Sequence, residues 1–84
     1  MLIKESLIVN TILDYEFKFN GWLKRIYKDD EEFLNDLTNV VNKENGIDEL
    51  LKYYKIHLIN MNDTNSTSEK RLEIRKIISL LENQ

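Results

Sequence analysis

Five carboxylate side chains within eight consecutive positions are the most concentrated chemistry in this sequence: Asp29, Asp30, Glu31, Glu32 and Asp36. Carboxylates at such density bind metal ions or attract a positively charged surface. A calcium loop is excluded, because the run lacks the alternating ligand spacing and the central glycine of that loop. Two interpretations remain: a recognition surface for a basic partner, or acids that favour the positive end of a helix dipole.

The position of Asp36 favours a recognition surface. Asp36 lies beyond the first turn of the helix that the acidic run would begin, so it gains little from the helix dipole, and Glu32 four residues earlier repels it. Residues 29–49 contain eight acids and one lysine, a net charge of −7, whereas the whole chain carries −3. We therefore predict that the five carboxylates bind a basic partner protein, with a merely solvated acidic helix as the alternative.

The other residue types give no indication of catalysis or of a bound cofactor. His57 is the single histidine, and its neighbours on a helix would be Tyr53, Tyr54 and Asn60, none of which adds a histidine or carboxylate ligand. The chain contains no cysteine, and two glycines are too few for a glycine-rich phosphate loop. We predict a protein without enzyme activity, catalytic residues, metal ions or cofactors.

The basic residues are too dispersed to bind nucleic acid directly. Lys24, Arg25 and Lys28 form one small cluster, and the basic residues near the C-terminus alternate with Glu69 and Glu73. No apolar run approaches the ~20 residues that span a bilayer. The N-terminus lacks the basic segment of a secretory signal. We expect a cytoplasmic protein that binds neither nucleic acid nor membrane.

The apolar residues that must position these groups recur at spacings of three and four, which is typical of amphipathic helices. One helix from about residue 2 to 28 would place six of them on one face: Ile8, Ile12, Tyr15, Phe19, Trp22 and Ile26. The strict alternation in residues 15–19, followed by Asn20-Gly21, instead favours a β-hairpin over residues 15–27. A third interpretation breaks the helix into two at Gly21.

Three further helices are predicted after this segment. Asp29 and Asp30 are typical of a helix start, and Gly46 would end that helix in a left-handed conformation. The next helix spans about residues 47–61, and a polar loop over 62–67 precedes the last one. The sequence therefore predicts an all-α fold, a compact bundle of four helices (five if the first breaks) in a single domain over residues 1–84. The alternative is an α+β fold that contains the hairpin.

The helical spacing also predicts which residues face the core. They are Phe33, Leu34, Leu37, Val40 and Val41, then Leu50, Leu51, Tyr54, Leu58 and Met61, and finally Ile74, Ile77, Ile78 and Leu81. Tyr53, Ile56 and Ile59 point away from the core side of their helix. They are either covered by neighbouring helices or form an exposed patch for partner docking or for self-association into a homo-oligomer.

One stretch of the sequence resembles a known family. Phe17-Lys18-Phe19-Asn20-Gly21-Trp22, then Tyr27, then the acidic run with Phe33 and Asn35-Asp36-Leu37, is similar to the C-terminal helical part of small anti-CRISPR proteins from Listeria prophages. The resemblance covers residues 17–37. It implies that Asp29, Asp30, Glu31, Glu32 and Asp36 occupy the place where a guide-loaded nuclease reads its PAM duplex. The sequence departs from the family in its helical first half, where the family has a small antiparallel sheet, and in one extra residue between Trp22 and Tyr27.

Acidic charge, absence of catalytic motifs and this resemblance together indicate a protein-binding inhibitor. We predict an anti-defence protein of a phage or mobile element that engages a nuclease with a basic surface. A helical immunity protein or antitoxin, which neutralises a bacteriocin or another toxin, is the first alternative. A small structural protein that oligomerises is the second.

Overall fold

Helices account for all regular secondary structure in the part of the chain that the structure describes. The structure is a computed structural model, and it describes residues 3–61 and 67–83. The helices are α1 (Ile3–Lys18), α2 (Trp22–Ile26), α3 (Asp30–Asn42), α4 (Gly46–Asn60) and α5 (Ser68–Glu82). The predicted all-α fold is confirmed. The hairpin over residues 15–27 is wrong, because α1 and α2 occupy that segment. Most of the predicted loop over residues 62–67 lies outside the described residues.

A turn at residues 19–21 separates α1 from α2. Asn20 has a φ of 47°, in the left-handed region that asparagine tolerates better than most residues. Gly21 returns to an ordinary φ of −63° and precedes the first residue of α2. A single helix reaching residue 28 is therefore wrong, and the prediction of two helices divided near Gly21 is confirmed.

This break changes which apolar residues of the first segment are buried. Ile8, Ile12 and Tyr15 lie in the core as predicted, whereas Trp22 and Ile26 are 52% and 54% exposed. Helical spacing aligns residues only while the helix continues. The turn redirects the chain, so the predicted apolar stripe ends with α1.

The core lies between α1, α3, α4 and α5, while α2 packs against α1. Its buried apolar residues are Ile8, Val9, Ile12, Tyr15, Phe33, Leu37, Val41, Leu50, Tyr54, Ile74, Ile77, Ile78 and Leu81. The stripe predicted for the last helix is confirmed in full. The prediction that Leu34 faces the core is wrong. Leu34 is 41% exposed and lies on a side of α3 away from Phe33 and Leu37.

In the turn between α3 and α4, the backbone conformations of Asn45 and Gly46 differ from the prediction. Asn45, with a φ of 64°, takes the left-handed conformation, and Gly46 is instead the first residue of α4. Gly46 is buried against α3, and a Cβ atom on it would collide with the backbone carbonyl oxygen of Val40. Glycine is therefore required here by the close approach of two helices, and the prediction of a left-handed Gly46 is wrong.

Replacing Gly46 by alanine should lower the free energy of unfolding by about 2 kcal/mol or more, because the backbone of α3 would have to move. The matched control is Asn45→Gly, which should change stability by less than about 0.5 kcal/mol or raise it, since glycine adopts positive φ without strain. Urea denaturation followed by circular dichroism measures both variants. Equal stability of the two would contradict the close approach at Gly46.

Candidate functional site

The acidic run begins α3, as the sequence predicts. Asp29 is the N-cap residue, and its carboxylate accepts a hydrogen bond of 2.9 Å from the backbone N–H of Glu31. Asp30, Glu31 and Glu32 form the first turn, where backbone N–H groups and the helix dipole favour negative charge. Asp29 therefore stabilises the start of the helix in addition to adding to its charge.

The five predicted carboxylates are all exposed, at the N-cap and in the first two turns of α3. Together we call them the acidic face, which consists of Asp29, Asp30, Glu31, Glu32 and Asp36. None of them forms an ion pair with a described lysine or arginine. Four acids on α4 and α5 do form such pairs, with N–O distances of 2.5 to 3.3 Å: Glu49 with Lys43, Glu69 with Lys18, Glu73 with Lys76 and Glu82 with Lys55. Asp48 on α4 forms no ion pair with a described side chain. The acidic face thus carries negative charge without a cationic partner among the described side chains.

Tyr27 ties the acidic face to the end of α2. Its ring stacks on Phe33, with centroids 5.0 Å apart. The pKa of the Tyr27 hydroxyl is raised, first by partial burial, then by a hydrogen bond to Asp36, and then by the charges of Asp36 and Glu32. Glu32 and Asp36 therefore lie on the flank of α3 that borders Tyr27, the C-cap residue of α2. Because Asp36 also interacts with Tyr27, it contributes to local structure as well as to charge.

The predicted docking patch of Tyr53, Ile56 and Ile59 is partly buried and partly exposed. Tyr53 is partly buried: its ring stacks parallel on His57 at 5.9 Å and lies 6.3 Å from Trp22, centroid to centroid. Ile56 and Ile59 are 49% and 79% exposed. Tyr53 is thus covered on one side by α2, whereas the two isoleucines face solvent.

His57 lies between tyrosines and a lysine. Its Nε2 atom is 3.4 Å from the hydroxyl of Tyr15, and its ring stacks on Tyr53. The pKa of His57 is lowered, mainly by burial and further by the positive charge of Lys70. Within the described residues no group of three or more histidine, cysteine, aspartate or glutamate side chains could hold a metal ion. No pocket opens among those residues either.

Glu16 is a buried carboxylate that the sequence analysis missed. It is 1% exposed, and Oε1 accepts a hydrogen bond of 3.3 Å from the backbone N–H of Lys24. Oε2 accepts another of 3.3 Å from the hydroxyl of Tyr54, which is itself fully buried. One signal was present in the sequence: Glu16 follows Ile12 by four residues and therefore shares its side of α1.

Glu16 replaces the capping side chain that α2 lacks. Gly21 is the N-cap residue of α2 and has no side chain, while the Glu16 carboxylate accepts hydrogen bonds from the backbone N–H groups of Leu23 and Lys24. A Cβ atom at Gly21 would lie 2.5 Å from Oε1 of Glu16, so glycine leaves room for the carboxylate. Burial raises the pKa of Glu16, and its hydrogen bonds and the charge of Arg25 partly oppose that rise.

Comparison with known proteins identified no relative of this chain. No protein-family model, no curated protein and no solved structure matches the chain. None of the helices in residues 3–61 and 67–83 combines the length and the apolar character needed to cross a bilayer.

Proposed function

We propose that this protein is a non-enzymatic inhibitor that binds a basic, nucleic-acid-handling protein through the acidic face. The observation that carries the proposal is the concentration of unpaired carboxylates at the start of α3, since Asp14, Glu44 and Asp48, which also form no ion pair with a described side chain, lie apart from it. Glu49, Glu69, Glu73 and Glu82 are neutralised by lysines, whereas the carboxylates of the acidic face are exposed and form no ion pair with a described side chain. A partner with arginines and lysines would supply the missing counter-charges.

The physical basis of binding is the substitution of carboxylates for nucleic-acid phosphates. A surface that holds a nucleic-acid backbone presents arginine and lysine side chains, and it gains affinity when phosphates neutralise them. One exposed ion pair contributes only ~0–1 kcal/mol. Several carboxylates on one helix must therefore act together, and their summed field also accelerates encounter with a cationic partner. Inhibition follows because the nucleic acid and the acidic face compete for the same cations.

The resemblance of residues 17–37 to small anti-CRISPR proteins indicates which partner should be tested first. The proposed partner is a guide-loaded type II-A nuclease, and the proposed contact is the site that reads the PAM duplex through arginine side chains. A protein of this kind acts in the cytoplasm, where the nuclease meets invading DNA, and is encoded by a phage or mobile element.

The test measures how much PAM-containing duplex a purified guide-loaded nuclease binds and cleaves as this protein is added. We expect loss of DNA binding at stoichiometric amounts, and weaker inhibition as salt rises. Unchanged DNA binding at a large molar excess and low salt would contradict the anti-defence proposal. Inhibition of a nuclease toxin encoded by a neighbouring gene, in place of the CRISPR nuclease, would contradict it as well and would identify an immunity protein that uses the same face.

A further inference from the structure

The short helix α2 contributes no buried side chain to the core, although three of its five residues are tryptophan, leucine or isoleucine. A helix of five residues is unstable by itself. What holds α2 in place includes one buried side chain of α1, because the backbone N–H of Lys24 donates a hydrogen bond of 3.3 Å to Oε1 of Glu16. The position of α2 therefore depends on Glu16 and on the chain at either end of the helix.

The chain is anchored on both sides of α2. Phe19, before the turn, is partly buried against the core, and the turn itself contains Asn20 with a positive φ of 47°. Tyr27 follows α2 in an extended conformation, and its ring stacks on Phe33 at 5.0 Å. We call residues 20–26 the α2 segment. A segment with few buried groups between two anchored ends is typical of a part of a protein that opens locally.

The Glu16 carboxylate connects the α2 segment to α4. Its side chain is 1% exposed, and Oε2 accepts a hydrogen bond of 3.3 Å from the hydroxyl of Tyr54, which is fully buried. A hydroxyl can donate or accept, so this cluster can satisfy both the ionised and the protonated acid. The ionised form costs more free energy, because Glu16 is buried and forms no ion pair with a described side chain.

Other titratable and charged groups surround Glu16 on α1, α2 and α4. The positive charge of Arg25 on α2 favours the ionised carboxylate. Burial raises the pKa of Tyr15 and Tyr53 to about 12, and it also raises the pKa of Tyr54, so these hydroxyls stay neutral near pH 7. His57 on α4 is different, because its pKa is lowered from 6.5 and its Nε2 atom lies 3.4 Å from the hydroxyl of Tyr15.

The two remaining helices that pack against α1 add apolar groups to its buried side. All side chains of α3 and α5 that are buried within the described ranges are apolar. The charged residues of α5 that meet α1 do so near its exposed end, where Glu69 pairs with Lys18 and Lys70 lies over the ring of Phe19. His57 is therefore the group near Glu16 that must be controlled for in a pH experiment.

We propose that the α2 segment opens and closes as one unit over an intact core of α1, α3, α4 and α5, and that the proton on Glu16 controls how often it opens. Opening breaks the hydrogen bond between Lys24 and Glu16 and separates the rings of Trp22 and Tyr53, which lie 6.3 Å apart in the closed state. It also exposes the Glu16 carboxylate to water, which favours its charge. This device does not depend on the proposed inhibitor function.

Opening should become more frequent as pH rises. Burial raises the pKa of Glu16 in the closed state, whereas the exposed side chain of the open state titrates near its ordinary value of 4.5. The stabilisation of the closed state by protonated Glu16 is complete below pH 4.5 and is lost as pH rises through the closed-state pKa. At still higher pH, opening should no longer respond to Glu16.

Amide hydrogen exchange, measured residue by residue with NMR, tests this opening. The reporters are the N–H groups of Lys24 and of Arg25, which bonds to the carbonyl of Gly21 at 3.1 Å. Their protection should be at least about tenfold lower than that of Ile77 and Ile78 in α5. After correction for intrinsic exchange rates, it should fall severalfold from pH 4.5 to 7. Equal protection of the two pairs at every pH would overturn the proposal, because α2 would then open only with the whole molecule.

Two substitutions assign the pH dependence. Glu16→Gln keeps the shape and a hydrogen-bond acceptor but cannot ionise, so protection at Lys24 should no longer vary with pH after the same correction. His57→Gln removes the other group that titrates near neutrality, and it should keep the pH dependence of the wild type. A pH dependence that persists in Glu16→Gln, or disappears in His57→Gln, would overturn the role of Glu16.

Gly21→Ala tests the position of the carboxylate by packing alone. The added Cβ atom would lie 2.5 Å from Oε1 of Glu16, while the φ of −63° at Gly21 suits alanine without strain. The variant should displace the carboxylate and lower protection at Lys24 about fivefold or more. In a Glu16→Ala background the same substitution should have a much smaller effect. Equal effects in both backgrounds would overturn the proposal, and the Glu16→Gln series decides it even where Glu16→Ala does not fold.

Discussion

Replacement of both Glu32 and Asp36 by lysine should weaken binding to the proposed basic partner by about 10²-fold or more. The change converts attraction into repulsion at two positions on the flank of α3 that borders Tyr27. Juxtaposed like charges at an interface cost several kcal/mol. Association should slow more than dissociation accelerates, because the acidic face steers the encounter. Surface plasmon resonance against the nuclease at several salt concentrations measures the affinity and both rate constants.

The matched control is the double variant Glu69→Lys and Glu73→Lys on α5. These side chains lose only exposed ion pairs, with Lys18 and Lys76, each worth ~0–1 kcal/mol. Partner affinity should change far less than in the α3 variant. Asp36→Lys also loses the interaction with Tyr27, so circular dichroism and urea denaturation must confirm that α3 is intact. Unchanged affinity and salt dependence in the α3 variant would show that the acids are merely solvated.

Removal of the Glu16 side chain should cause a large loss of stability. Glu16→Ala leaves the N–H groups at the start of α2 and the buried Tyr54 hydroxyl without their acceptor, and it opens space in the core. We expect a loss of about 2–4 kcal/mol in the free energy of unfolding. The fluorescence of Trp22 should change as well, because α2 loses its cap. Urea denaturation measures both effects.

Glu16→Gln separates the hydrogen bonds of Glu16 from its charge. Burial raises the pKa of Glu16, so the folded state disfavours its ionised form. The stabilising contribution of the protonated form is complete below the ordinary pKa of 4.5 and is lost as pH rises through the folded-state pKa. The amide cannot ionise and still offers an acceptor to α2. Relative to wild type, Glu16→Gln should therefore gain stability between pH 4.5 and neutrality.

The control for this pH series is Asp14→Asn, a substitution on the exposed side of α1. It should change stability by less than about 0.5 kcal/mol at any pH. If Glu16→Gln were as destabilising as Glu16→Ala at neutral pH, the ionised carboxylate itself would be required. The interpretation of Glu16 as a hydrogen-bond acceptor that is disfavoured when charged would then be contradicted.

The sequence by itself determined the features that depend on neighbours within one helix. Helical spacing gave the all-α class, the buried faces of α1 and α5, and most of the face of α3. The identity of Asp29 gave the start of α3, because a capping carboxylate needs only the N–H two residues later. Exposure of Glu31 and Glu32 also followed from the local pattern, since helical spacing places them opposite Phe33 and Leu37.

Only the tertiary structure decided the features that depend on contacts between helices. Glu16 is an acceptable surface residue by type, and its burial required Tyr54 from α4 and the turn into α2 to meet it. Gly46 resembled a helix stop, and the approach of Val40 made it an indispensable small residue. Trp22 and Ile26 continue the apolar spacing of α1 in the sequence. They do not continue its buried face, because the turn at Asn20 redirects the chain before Trp22. Sequence spacing records which residues share a helix face, whereas the direction of each helix and the groups it meets arise from packing.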